Sequence, residues 1–164
     1  MLETGIKGRQ EVVVSDANSA KTMGSGTLDV FATPAMTALM EKTAWMSVAD
    51  QLDEGCGTVG TLLNVTHDAP TPLGMTVWCE TELVEVDGRR LVFDVAAYDA
   101  KGKIGGGRHE RFIIQNESSR RKRTRRHLLN NFLSPAISKF GGRQLSFLFH
   151  KYSSDVQFVL IWFF

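Results

Sequence analysis

The 164-residue sequence predicts an α+β fold in which one antiparallel sheet wraps around a single long central helix. Three observations lead there. One long apolar stretch, Thr33 to Met46, carries the chemistry of a helix start, and Glu41 and Lys42 are the only charges between Asp29 and Asp50. Four strand-like runs follow it with little but turn residues between them. Near Asn116 the composition then changes abruptly: residues 1–116 hold 10 Lys and Arg against 16 Asp and Glu, and residues 117–164 hold 9 against 2. A helix apolar on most sides must be covered, and one sheet curled around it does so.

In chain order, Glu11 to Ser15 reads as a short strand, and Gly24-Ser25-Gly26 breaks the pattern. Thr27 to Phe31 alternates polar with apolar, as a second strand or a lead-in. Thr33 is a good N-cap, and Pro34 suits the first helical position, where a missing N–H costs nothing. Asp53-Glu54-Gly55-Cys56-Gly57 ends the helix. Thr58 to His67 is the first run of a predicted four-strand meander, with Val59, Leu63 and Val65 on the face of His67. Asp68 to Gly74, with Pro70 and Pro72, is an irregular connection to the strand Met75 to Val86. Asp87-Gly88 is a tight hairpin signal. Leu91 to Tyr98 alternates as a strand, and Asp99 to Gly102 turns into Lys103 to Ile114, interrupted by Gly105-Gly106-Gly107.

Length and composition bound the function. One domain of ordinary size is expected, and no window approaches the roughly 18 consecutive apolar residues of a membrane span. Cys56 and Cys79 fit neither a disulfide framework nor a zinc site, so reduced thiols are expected. Met1-Leu2-Glu3-Thr4-Gly5 lacks the basic start and apolar stretch of a secretory signal, and a cytoplasmic protein is expected.

Three polar residues in apolar surroundings suggest hydrolytic chemistry: Thr33, Glu41 and His67. Glu41 falls in the row Pro34, Ala38, Glu41, Trp45, Val48 and Leu52, which has the spacing of one helical stripe. A carboxylate buried in such a row needs a partner or a task. Taken singly, His67 also fits a strand-end histidine bonded to backbone, and Thr33 a plain cap. A helix start, however, offers free N–H groups and the positive end of the helix dipole to a developing oxyanion.

At these residues the chain resembles the fluoroacetyl-CoA thioesterase-like family of hot-dog proteins. The similarity lies in Val30-Phe31-Ala32-Thr33-Pro34-Ala35-Met36 with Leu39-Met40-Glu41, and in Gly57-Thr58-Val59-Gly60-Thr61. It continues through Val65 to Gly74, through Glu82 to Leu91, and through Gly107-Arg108-His109-Glu110-Arg111-Phe112. Roughly residues 5–115 are covered, with matching motif order and spacing. The resemblance implies a hot-dog fold and cleavage of an acyl-CoA thioester to a carboxylate and free CoA, with no cofactor or metal. It implies Thr33, Glu41 and His67 as the catalytic set and places Gly60 close to bound substrate, where a strand bulge is the plainer alternative. It also implies a homodimer in which the helix of one subunit and a strand of the other complete each site.

Glu41 could attack the carbonyl and form an anhydride, or act with His67 as a general base on water while Thr33 donates a hydrogen bond. The fluoroacetyl-specific member carries aromatic lid residues where Gly24 to Thr27 is small and polar, so a short- or medium-chain acyl-CoA is expected instead. Arg89, Arg90, Arg108 and Arg111 read as solvated strand-edge charges rather than CoA phosphate contacts.

Residues 117–164 lie outside the resemblance. The run Arg120-Arg121-Lys122-Arg123-Thr124-Arg125-Arg126 precedes a segment rich in Phe, Ser and Leu, expected to be disordered or no part of the fold. A non-catalytic acyl-CoA-binding hot-dog module whose basic tail contacts nucleic acid is the main alternative, and the retained polar set argues against it. A hot-dog hydratase would show an Asp or Asn paired with His, a pattern not visible here.

Overall fold

The computed structural model describes residues 2–116. Five strands form one antiparallel sheet: β1 (Lys7–Val13), β2 (Cys56–His67), β3 (Thr76–Asp87), β4 (Arg90–Asp99) and β5 (Gly102–Gln115), in the spatial order β1-β3-β4-β5-β2. One helix, α1 (Thr33–Val48), packs on one face of it. Residues 117–164, on which the tail expectation falls, lie outside the described residues. Among the described residues no helix is long and apolar enough to cross a membrane.

The core forms where the inward positions of β3 and β4 meet the helix. Val77, Cys79 and Leu83 alternate on β3, and Leu91, Phe93, Val95 and Ala97 on β4. They meet Met36, Leu39, Met40, Ala44 and Val48 on the helix, whose spacing is that of one helical face. Thr43, buried in this face, donates its hydroxyl to Leu39 O at 2.7 Å, so its polar atom is satisfied locally.

Three sequence expectations change here. The four runs are not one meander: β3, β4 and β5 are, but β2 pairs with β5 at the far edge. Pro70 and Pro72 in the connection after His67 forbid a tight hairpin, and the chain crosses to β3 instead. Thr27 to Phe31 forms no strand and makes only isolated bridges, Ser19 with Phe31 and Val30 with Pro72. Of the expected stripe, Pro34, Ala38, Glu41 and Trp45 lie on the exposed side of the helix and Val48 is buried in the core, because Met36, Leu39, Met40 and Thr43 take the sheet-facing side.

Gly105-Gly106-Gly107 does not interrupt β5. These glycines let neighbouring backbone close on the strand: a Cβ at Gly105 would collide with Thr66 O, and one at Gly107 with Asn64 O, both on β2. Gly105→Ala should therefore destabilise the fold by about 1–3 kcal/mol, the usual cost of overpacking. A lowered urea midpoint would show it, and an unchanged midpoint would mean that β2 gives way freely. A chain ending at Asn116 should fold and remain at least as soluble as the full sequence, checked by urea melt and by sedimentation.

Candidate active site

The entry to the helix is pinned by backbone. Phe31 N donates to Thr71 O at 2.8 Å and Ala32 N to Asn18 O at 3.0 Å. Thr71 is buried and spends its hydroxyl on Asp99 Oδ2 at 2.8 Å. The cap position is Ala32, with extended backbone, and Thr33 is already the first helical residue. Thr33 is thus no N-cap. Its hydroxyl is left for another partner.

That partner is His67, the last residue of β2. Thr33 Oγ1 and His67 Nδ1 lie 2.8 Å apart. The loop after His67 is fixed in turn, with Asp68 N and Ala69 N both donating to Ile104 O. Phe31 meets the His67 ring edge-on, with centroids 6.5 Å apart. His67 Nε2 is buried and, among the described residues, has no hydrogen-bond partner. Burial pushes the His67 pKa below its ordinary 6.5, against the Ala69 backbone and the charge of Asp68, so the ring is neutral at pH 7. The pair borders a cleft of about 250 Å³ that Phe31, Ala69, Pro70, Ala20 and Ser25 also line.

A larger concavity of about 730 Å³ lies over the sheet between β1, β3, β4 and β5, away from this pair. Most of its charges are already matched, Lys7 with Glu82, Arg9 with Glu80 and Arg108 with Asp94.

Glu41 stands elsewhere in the same chain. It is exposed, and a Cβ built on Gly60 would lie 2.5 Å from its Oε1. Gly60 thus leaves room for the carboxylate, and the register of β2 on β5 also shifts between Gly60 and Leu62, so the bulge and the close approach coincide. The same point is 3.1 Å from His109 Cε1 and 3.7 Å from Arg111 Nη1. Thr33 and Glu41 are eight residues apart, about 12 Å along the helix axis, and His67 is roughly 20 Å along β2 from Gly60. One chain brings Thr33 to His67. It does not bring Glu41 to either.

The arginines divide. Arg108 is exposed beside Asp94, Arg90 bridges Glu85 and Glu110, and Arg89 lies over the Phe112 ring. Arg111 is not a solvated edge charge: it is 5% exposed and bonded to Thr58 and His109. The alternation His109, Arg111, Ile113 along β5 was the available signal, masked by the glycines before it and by charged types that usually face water. Among the described residues no group of three or more His, Cys, Asp or Glu could hold a metal ion.

Burial holds both His67 and His109 below 6.5 in the folded chain, so the unfolded chain takes up their protons first. Their contribution to stability is complete above pH 6.5 and is lost as the pH falls below it. The urea midpoint should drop between pH 7.5 and pH 5.5, and less steeply in His67→Gln; a flat profile would contradict the burial of these rings.

A model of the fluoroacetyl-CoA-specific thioesterase family matches residues 14–117. The fluoroacetyl-CoA thioesterase of Streptantibioticus cattleyicolor is 46% identical over 89 residues, which are 54% of this chain and 64% of that protein, so the chain matches just under two thirds of that relative's length. The solved structure of the fluoroacetyl-CoA thioesterase FlK superposes with a TM-score of 0.72 at 34% identity, covering 76% of this chain and 97% of that one. A thioesterase-superfamily protein of Thermus thermophilus superposes with a TM-score of 0.69 at 26% identity, over 79% of this chain and 95% of its own. The single helix on a five-stranded antiparallel sheet is the hot-dog thioesterase fold, and the chain belongs to the fluoroacetyl-CoA-specific thioesterase family of thioester hydrolases.

Proposed function

We propose that this chain hydrolyses a short- or medium-chain acyl-CoA to the carboxylate and free CoA, as a homodimer whose sites join Thr33 and His67 of one copy to Glu41 of the other. The observation that carries the reading is the 2.8 Å bond between Thr33 and His67 at the start of a helix, beside a cleft. The first helical turn presents N–H groups without intrahelical partners and the positive end of the dipole to the thioester carbonyl. A neutral His67 whose Nε2 has no partner among the described residues is suited to relay a proton.

The carboxylate can act by two routes. In one, a Glu41 oxygen bonds to the carbonyl carbon, the C–S bond breaks, CoA leaves as thiolate, and water then cleaves the anhydride. In the other, Glu41 takes a proton from water as the water oxygen attacks. The thiolate is a good leaving group on either route. Gly60 serves both by leaving room for the carboxylate and the thioester above β2.

A second copy supplies what one chain lacks. Among the described residues the edge of β2 is unpaired and one side of the helix is exposed, and both are apolar: Trp45 is 44% exposed, Val59 42% and Leu62 48%. Antiparallel pairing of two β2 edges about a two-fold between Leu63 and Asn64 sets His67 of each strand opposite Gly60 of the other. The same two-fold, passing beside Thr37, sets Thr33 of one helix level with Glu41 of its partner. The small, polar Gly24 to Thr27 loop, whose Ser25 reaches the cleft, leaves room for an acyl group longer than fluoroacetyl. Both cysteines are free thiols, which fits a cytoplasmic setting.

Release of free thiol from a panel running from acetyl-CoA to octanoyl-CoA tests the activity, with the best substrate expected beyond two carbons. Glu41→Gln should lower turnover about 10²-fold or more while the protein stays folded and dimeric. A folded Glu41→Gln protein of near wild-type rate would remove Glu41 from the site. Binding without any thiol release would favour the acyl-CoA-binding module.

A further inference from the structure

β5 carries two inward side chains that the proposed catalytic set does not use. His109 is fully buried and Arg111 nearly so. A guanidinium out of water needs acceptors for its N–H groups. Arg111 has three: Nε donates to Thr58 Oγ1 at 2.8 Å, Nη2 donates to Thr58 O at 3.0 Å, and Nη1 meets His109 Nε2 at 2.9 Å. A guanidinium only donates, so His109 Nε2 is the bare nitrogen of the ring. The proton then sits on Nδ1, which donates to Leu62 O at 2.8 Å. The tautomer follows from the partners alone.

Arg111 does not close on the nearest carboxylate. Glu41 Oε1 and Arg111 Nη1 both lie within 4 Å of the point a Gly60 Cβ would occupy, yet they form no ion pair. Left free, a buried guanidinium and a carboxylate this near would join in a short, charge-assisted pair. A carboxylate so engaged is a weaker nucleophile and a weaker base.

We propose that His109 is a positioning residue: by accepting from Nη1 it holds the Arg111 guanidinium back from Glu41 and leaves the carboxylate open over Gly60 to an acyl thioester. This rests on the reading of Glu41 as the catalytic carboxylate. The groups facing the His109 ring are Arg111 on β5, Glu41 on the helix, Leu62 O on β2 and the uncharged Phe93 ring on β4 at 6.5 Å. Burial pushes the His109 pKa below the usual value, Arg111 pushes the same way, and Leu62 O and Glu41 oppose them. The ring is therefore a neutral acceptor at neutral pH.

His109→Leu in the full-length protein removes the acceptor at similar volume. The expected result is a kcat at least about tenfold lower, with KM near wild type and the acid limb of the kcat profile moved to lower pH, because Arg111 then pairs with Glu41. His109→Gln, whose amide oxygen can accept from Nη1, should recover most of the rate. Wild-type kcat and pH profile in a folded His109→Leu protein would overturn the proposal. Should that variant fail to fold, ¹⁵N NMR of the wild-type imidazoles decides: a protonated Nδ1 and bare Nε2 on His109 between pH 6 and 8 supports it, and an imidazolium or an Nε2–H ring overturns it. Full activity in Glu41→Gln would remove the catalytic reading by itself, without touching the NMR result, so the two failures are distinguishable.

Discussion

The hydrogen bond between Thr33 and His67 ties the first residue of the helix to the last residue of the outermost strand. Everything else in the candidate site is placed relative to that tie. Asn18 O and Thr71 O take the N–H groups just before the helix, and Ile104 O takes those just after His67. Both ends of the contact are thus held by backbone from three other segments, and the side chains meet without being free to choose other partners. With its start fixed, the helix must lay Met36, Met40 and Ala44 on the sheet, and Glu41 consequently points away from the core.

That placement produces a separation. Thr33 and His67 stand at one end of the helix and of β2, and Glu41, Gly60, His109 and Arg111 gather near the middle of their elements. No side chain spans the distance. Among the described residues β2 has an unpaired edge and the helix an exposed apolar face with Trp45 on it, which are features a stable monomer normally avoids. In the proposed homodimer, a two-fold through this edge would answer both problems at once, covering the apolar surface and bringing Glu41 of one copy to Thr33 and His67 of the other. Each half-site would then be rigid before substrate arrives, which is the condition for electrostatic stabilisation without reorganisation.

Much of the fold was legible from periodicity and turn residues. The helix start, the Asp87-Gly88 hairpin and the three strands of the true meander stand within one residue of their expected limits, whereas the helix gives way at Val48 to a short turn, Ala49–Gln51, before the expected stop at Asp53. What failed has physical causes. Two prolines in the connection after His67 sent β2 to the far edge, and strand pairing of that kind leaves no local trace. The stripe through Glu41 is apolar, but so is the opposite side of the helix, and composition alone could not say which side meets the sheet. Thr33 has the residue type of a cap, and the extended Ala32 before it took that place. Thr33, Glu41 and His67 were singled out by chemistry, whereas His109 and Arg111 were hidden because their value comes from burial and from each other.

Mixing two inactive proteins tests the shared site most directly. Glu41→Gln and His67→Ala chains, unfolded together in equal amounts and refolded, assort at random into dimers. If each site takes Glu41 from one copy and His67 from the other, every mixed dimer regains one intact site, and the mixture recovers about a quarter of wild-type turnover, since half of the dimers are mixed with one of two sites intact. A mixture that stays as inactive as its two components, with mixed dimers shown to form, would contradict a site built across two copies.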